Sequence, residues 1–187
     1  MARSVRWTSA DLELLPDDGK RYEIIDGELY VSRQPQWNHQ TASVRIASSL
    51  DRWSVQTGAG AATIAPGVIF SDDDDVAPDV AWVSRDRLVA TLQPSGHLHG
   101  TPELVVEVLS PGLANERRDR EVKLKLYSRR GVLEYWIVDW RLRQIEVYRS
   151  DEGVLRLIAT LSDADVLESP LLPGFRLPLA ELFTGLS

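Results

Sequence analysis

Apolar positions along this chain follow two periods, one suited to helices and one to strands. From Trp37 to Thr57 the residues at 42, 46, 50 and 53 form one stripe, and Gly58 follows as a stop, which predicts a long helix. A second helix is predicted over Asn115–Arg130, closed by Gly131. Thr8-Ser9 ahead of Ala10–Leu15 reads as a short capped helix ended by Pro16, and Leu179–Leu186 as a terminal helical turn. Arg21–Ile25 and Glu28–Val31 flank Asp26-Gly27, a strong two-residue hairpin signal. Ala61–Phe70 leans to strand but is broken by Pro66-Gly67. Further strands are predicted at Asp79–Val83, Leu104–Leu109, Glu134–Val138, Gln144–Arg149 and Val154–Thr160. The order implies an α/β or α+β domain over 1–187, a mixed central sheet with helices on its faces.

Composition narrows the classes. The chain has 187 residues with 43% hydrophobic and 26% charged, which fits a globular fold rather than disorder. There is no Cys, which excludes a disulfide frame, a thiolate nucleophile and cysteine-bound zinc. No apolar run approaches a membrane span, and Met1–Trp7 has no stretch that could act as a signal, so a cytoplasmic protein is expected. With 21 Lys+Arg against 28 Asp+Glu the net charge is −7, which disfavours coating nucleic acid through bulk charge. It leaves room for an enzyme that meets nucleic acid at one cleft. The basic residues Arg117, Arg118, Arg120, Lys123 and Lys125 gather on the second long helix.

Glu107 is the first anomaly. It interrupts Leu104–Leu109, a run that suits a strand covered on both faces, where an unpaired carboxylate is costly. A structural ion pair is the plain alternative to a metal or catalytic role. The second anomaly follows on the helix. At 100° per residue, Val122 and Leu126 fix the inward direction, Asp119 falls within that face, Lys123 at its edge and Tyr127 one turn on. An Asp–Lys pair at this spacing can also be no more than a helix-supporting ion pair. Asp79, directly after Pro78, starts a strand. Asp79, Glu107 and Lys123 together make two carboxylates and an ammonium from successive elements, an inventory that suits metal-assisted phosphodiester hydrolysis.

Other residues carry less. His97 and His99 alternate onto one strand face but lack a third ligand, so a surface loop is expected rather than zinc. Asp72–Asp75 reads as a solvated loop. Trp136 and Trp140 read as packing residues. No glycine-rich phosphate loop, Gly-x-Ser-x-Gly elbow or His-Glu-x-x-His occurs.

Several segments taken together resemble one family. They are Arg21–Leu29, Pro78-Asp79-Val80, Glu103–Pro111, Asp119-x-x-x-Lys123-x-x-x-Tyr127 and Gly131–Asp139. In this order they resemble the Uma-two family of restriction-endonuclease-like proteins, within the PD-(D/E)XK nuclease superfamily, with a motif-bearing core over about 8–160. The resemblance implies a restriction-endonuclease-like mixed sheet with a divalent-metal cleft at one edge. It implies Asp79 and Glu107 as metal ligands; Glu23 matches the family's acidic residue of the first hairpin, and either completes the metal site or is an exposed hairpin Glu. The Lys that the superfamily signature has two residues after the acid is Leu109 here, and Lys123 stands in its place. A family His corresponds to His39, which could position water, contact phosphate or simply cap the helix.

The resulting expectation is a Mg²⁺- or Mn²⁺-dependent DNA endonuclease. Asp79, Glu107 and Glu23 hold the metal, Lys123 assists the attacking water, and Asp119 and Tyr127 support it. The competing expectation is a catalytically silent nuclease fold that binds a nucleic acid or a protein. Oligomeric state is not legible, although cutting both strands with one site per subunit calls for a homodimer.

Overall fold

Asp26 and Gly27 both take positive φ, 54° and 74°, and so close the first hairpin with the turn geometry that matches strand twist. The hairpin joins β1 (Arg21–Ile25) to β2 (Glu28–Ser32), paired from Arg21↔Ser32 to Ile25↔Glu28. A computed structural model describes residues 5–186, so the first four residues of the Met1–Trp7 segment lie outside it. A short helix, α1 (Ser9–Leu12), precedes the hairpin. After it comes α2 (Trp37–Thr57), ended by Gly58 in the left-handed conformation at φ 67°, as its period predicts. Ala42, Ile46 and Leu50 of its stripe are buried.

Pro66-Gly67 does separate two strands, β3 (Gly60–Ile64) and β4 (Val68–Ser71). Then follow β5 (Asp74–Val76), β6 (Val80–Ser84), α3 (Arg85–Thr91) and β7 (Leu104–Val108). One continuous helical stretch consists of α4 (Leu113–Arg117), a π-helical segment (Arg118–Lys123) and α5 (Leu124–Arg129). The chain closes with β8 (Glu134–Asp139), β9 (Gln144–Asp151), β10 (Val154–Ser162), β11 (Val166–Leu167), β12 (Leu177–Pro178) and α6 (Leu179–Phe183).

A six-stranded sheet runs β10-β9-β8-β7-β6-β3. Only the β7–β8 pair is parallel, and α4–α5 supplies its crossover. The sheet is therefore mixed, with helices on its faces. On one face Leu104, Val106 and Val108 pack with Ile46, Leu50, Leu182 and Phe183. On the other, Val105 and Leu109 pack with Leu126, Tyr127 and Tyr135. Strand alternation puts Glu107 on that second face, beneath the helical crossover. A smaller sheet, β2-β1-β5-β4, stands beside it. No described helix is long and apolar enough to cross a membrane.

The acidic run Asp72–Asp75 departs from the solvated loop its composition suggests. Asp74 begins β5 and is buried, accepting from the Asp26 amide at 2.8 Å and from Arg129 at 2.8 Å, with Arg130 beside it. Two arginines at the end of α5 supply the charge that lets this carboxylate enter the interior. Trp136 is fully buried and Trp140 nearly so, as packing residues should be.

Candidate active site

Strand register builds the site. Val80 of β6 pairs with Val106 of β7, so Asp79, one step before Val80, comes level with Glu107. The Val108 amide donates to Asp79 Oδ2 at 2.8 Å, fixing the carboxylate across the two strand ends. Glu23 arrives from β1, and Ala77 N donates to its Oε1 at 3.0 Å. Asp79, Glu107 and Glu23 are 5%, 2% and 1% exposed. The structure thus brings together carboxylates from three separate elements, and Glu23 is no exposed hairpin residue.

The crossover helix supplies the cation. Lys123 is 0% exposed, and its Nζ donates to Glu23 Oε1 at 2.8 Å and Glu107 Oε1 at 2.9 Å. A face drawn at 100° per residue puts Val122 inward and Lys123 at the edge; the structure reverses them, with Val122 half-buried. Its reason is the π-helical segment, whose wider turn rotates less per residue and swings Lys123 under the sheet. Tyr127 Oη donates to Glu107 Oε1 at 2.6 Å. Asp119 is buried in the same cluster, but its carboxylate accepts from Arg118 Nε at 3.3 Å rather than from Lys123. His39, in the first turn of α2, reaches Asp79 Oδ2 with Nε2 at 3.1 Å, and its buried Nδ1 has no protein partner.

Two arginines complete the site without having been singled out from sequence as site residues. Arg21 Nη1 donates to Asp79 Oδ1 at 2.9 Å and to the Ala77 carbonyl at 3.0 Å. Arg118 Nη1 donates to Ser32 Oγ at 2.5 Å. A readable signal existed for Arg21, because strand alternation puts residues 21 and 23 on one face.

Burial and charge act against each other here. Burial would raise the Asp79 carboxyl, but the His39 hydrogen bond and charge, with Arg21 and Lys123, hold it well below the usual range. Burial would lower Lys123, but Glu107, Glu23 and Asp119 raise it, so the ammonium stays protonated. Glu23 is likewise held low against burial, chiefly by Lys123. Glu107 is the exception. Burial pushes its carboxyl up to about 8; Lys123 opposes, but the charges of Asp79, Asp119 and Glu23 add to the rise. Asp119 is raised as well, mainly by burial.

Asp79, Glu107, Asp119 and His39 line a small pocket of about 30 Å³, with Arg21, Arg33 and Arg118 also in its wall. That is about the share of one water molecule in the liquid. Among the described residues no three His, Asp or Glu side chains stand ready as a metal cage, because the protein's own cations occupy the acidic oxygens. The donor chemistry nevertheless suits a hard divalent ion, because Asp79 and Glu107 both present a carboxyl group to one pocket. Such an ion would require Arg21 or His39 to release an Asp79 oxygen. His97 and His99 lie elsewhere, exposed on a loop by a larger cavity of about 830 Å³ that shares no lining residue with this pocket.

A family model described as "Uma2: Putative restriction endonuclease" matches residues 9–180. The chain belongs to the Uma2 family. Among solved structures, this Uma2 chain is similar to a protein from Anabaena variabilis ATCC 29413 described as "a putative nuclease belonging to DUF820". That similarity covers 96% of this chain and 99% of the other at a TM-score of 0.75 and 17% identity, so it speaks to the shared fold. No curated protein matches this Uma2 sequence.

Proposed function

We propose that this Uma2 protein is a divalent-metal-dependent DNA endonuclease that hydrolyses phosphodiester bonds. The observation that carries the reading is the pocket where Asp79 and Glu107 meet, backed by a fully buried Lys123. Asp79 and Glu107 would hold Mg²⁺ or Mn²⁺, with Glu23 close behind through their shared partner Lys123. A bound ion supplies Lewis-acid stabilisation of a phosphate oxygen and acidification of water. The chain's own residues do the rest. Lys123 and Tyr127 both donate to Glu107 Oε1, which fixes that carboxylate and leaves Oε2 for the pocket. Lys123, buried behind Glu107, would keep positive charge close to the phosphate that the pocket would receive. Arg21 and Arg118, in the pocket wall, can turn a guanidinium to a non-bridging phosphate oxygen. His39 holds Asp79 through Nε2, while its Nδ1 is buried without a protein partner.

The test is cleavage of plasmid and linear DNA by purified protein with Mg²⁺ or Mn²⁺. Asp79→Ala, Glu107→Ala and Lys123→Ala should each lower the rate at least a hundredfold. Cutting that persists in EDTA, or in all three variants, would sink the mechanism. One observation favours a second reading, a catalytically silent binding module. The ion pairs Lys123–Glu107, Lys123–Glu23 and Arg21–Asp79 already satisfy much of the acidic cluster. Under that reading divalent ions leave the melting temperature unchanged.

A further inference from the structure

Three arginines, Arg21, Arg33 and Arg118, line the pocket where Asp79 and Glu107 meet, and two of them are already committed. Arg21 is paired with Asp79 at 2.9 Å, and Arg118 with Asp119 at 3.3 Å and with the Ser32 hydroxyl. Handing either guanidinium to a ligand would strand a buried carboxylate. Arg33 is different. Among the described residues its guanidinium has no hydrogen-bond or ion-pair partner, and the residue is exposed. It lies one position after β2, on the way to α2. Ser32 before it and Pro35 after it line the same pocket. Arg118 holds the Ser32 hydroxyl and the Pro35 ring fixes its own φ, so the stretch that carries Arg33 is kept at the pocket at both ends.

We infer that Arg33 is the substrate-binding cation of this pocket, the guanidinium that takes a DNA phosphate before any metal is bound. This rests on the nuclease reading above and adds to it the contact that captures the substrate. A guanidinium offers paired donors that match the oxygens of a phosphodiester, and Arg33 gives up only water to make that bond. Asp79, Glu107 and Asp119 line the same pocket and would repel a phosphate, so attraction has to come from a cation that none of them already holds. The chain is net −7, so that attraction is local rather than a property of the whole surface. Arg52 supplies a matched control. It is also exposed and without a partner among the described residues, but it does not line this pocket.

Fluorescence anisotropy in EDTA tests the inference apart from chemistry, with a short dye-labelled DNA duplex titrated over a range of salt concentrations. Arg33→Gln should weaken binding about tenfold and lower the slope of log affinity against log salt by about 1, as the loss of one phosphate contact requires. Arg33→Lys keeps the charge and should restore the slope. Arg52→Gln removes the same charge elsewhere and should leave affinity and slope unchanged. An unchanged melting temperature shows that the variants fold. Wild-type affinity in Arg33→Gln overturns the inference, as does an equal loss in Arg52→Gln or a wild type that does not bind the duplex in EDTA. A parallel cleavage assay separates the two claims. If wild type cuts DNA while Arg33 is immaterial to binding, the phosphate contact falls and the nuclease stands. If Arg33-dependent binding holds while neither Mg²⁺ nor Mn²⁺ supports cutting, the nuclease falls and the phosphate contact stands.

Discussion

Lys123 Nζ lies 2.9 Å from Glu107 Oε1 with both side chains out of reach of solvent, so each residue is the condition for burying the other. Removing one partner strands the second. Lys123→Met should cost the metal-free protein about 3–5 kcal/mol, because two carboxylates lose their shared cation. Glu107→Gln should cost less, since the amide still accepts from Lys123 and Tyr127. Urea unfolding of the three proteins gives the ranking, and a Lys123→Met variant as stable as wild type would contradict it.

Stability should also depend on pH in a defined window. Glu107 titrates near its ordinary value of 4.5 when unfolded and near about 8 when folded. Between these the folded chain keeps a proton that the unfolded chain has lost. Stability is therefore highest below about 4.5 for this group and falls as pH rises to about 8, by an amount on the order of a few kcal/mol. Urea midpoints of the metal-free protein across that range should show the decline, and Glu107→Gln should flatten it.

Divalent ions should raise stability by linkage. At a hundred times the dissociation constant the gain is about 2.7 kcal/mol, or several degrees in melting temperature. Asp79→Ala should abolish the shift, because Asp79 is held at the pocket by Val108 N, His39 and Arg21. Thermal melts with Mg²⁺, Mn²⁺ and EDTA decide it.

Asp74 offers a check away from the site. Asp74→Ala removes the acceptor for the Asp26 amide and separates Arg129 and Arg130 from their buried partner. A loss of about 2 kcal/mol is expected, from an unsatisfied amide and broken charged hydrogen bonds. Metal-induced shifts in melting temperature should persist, since Asp74 does not line the pocket.

Much of this organisation was legible in the chain. The stripe at 42, 46 and 50 and the stop at Gly58 gave α2 its bounds, because a surface helix shows its period directly. Glu107 announced itself as a carboxylate in an apolar run. Lys123 was only half legible: its depth depends on a change of helical pitch that a fixed 100° rotation misses. The burial of Glu23 and Asp74 depends on cations about 100 and 55 residues away in sequence, which no local pattern reveals. Helix α3 was missed because none of its residues is buried, so it has no apolar stripe to read.

The bond between Glu23 and Lys123 spans 100 positions of sequence. A chain emerging from the ribosome presents Glu23 and Glu107 before Lys123, the cation that both share. The cleft cannot close until the crossover helix has been made and docked. Burial of Glu23 and Glu107 thus comes late in synthesis, after residue 123 has been made.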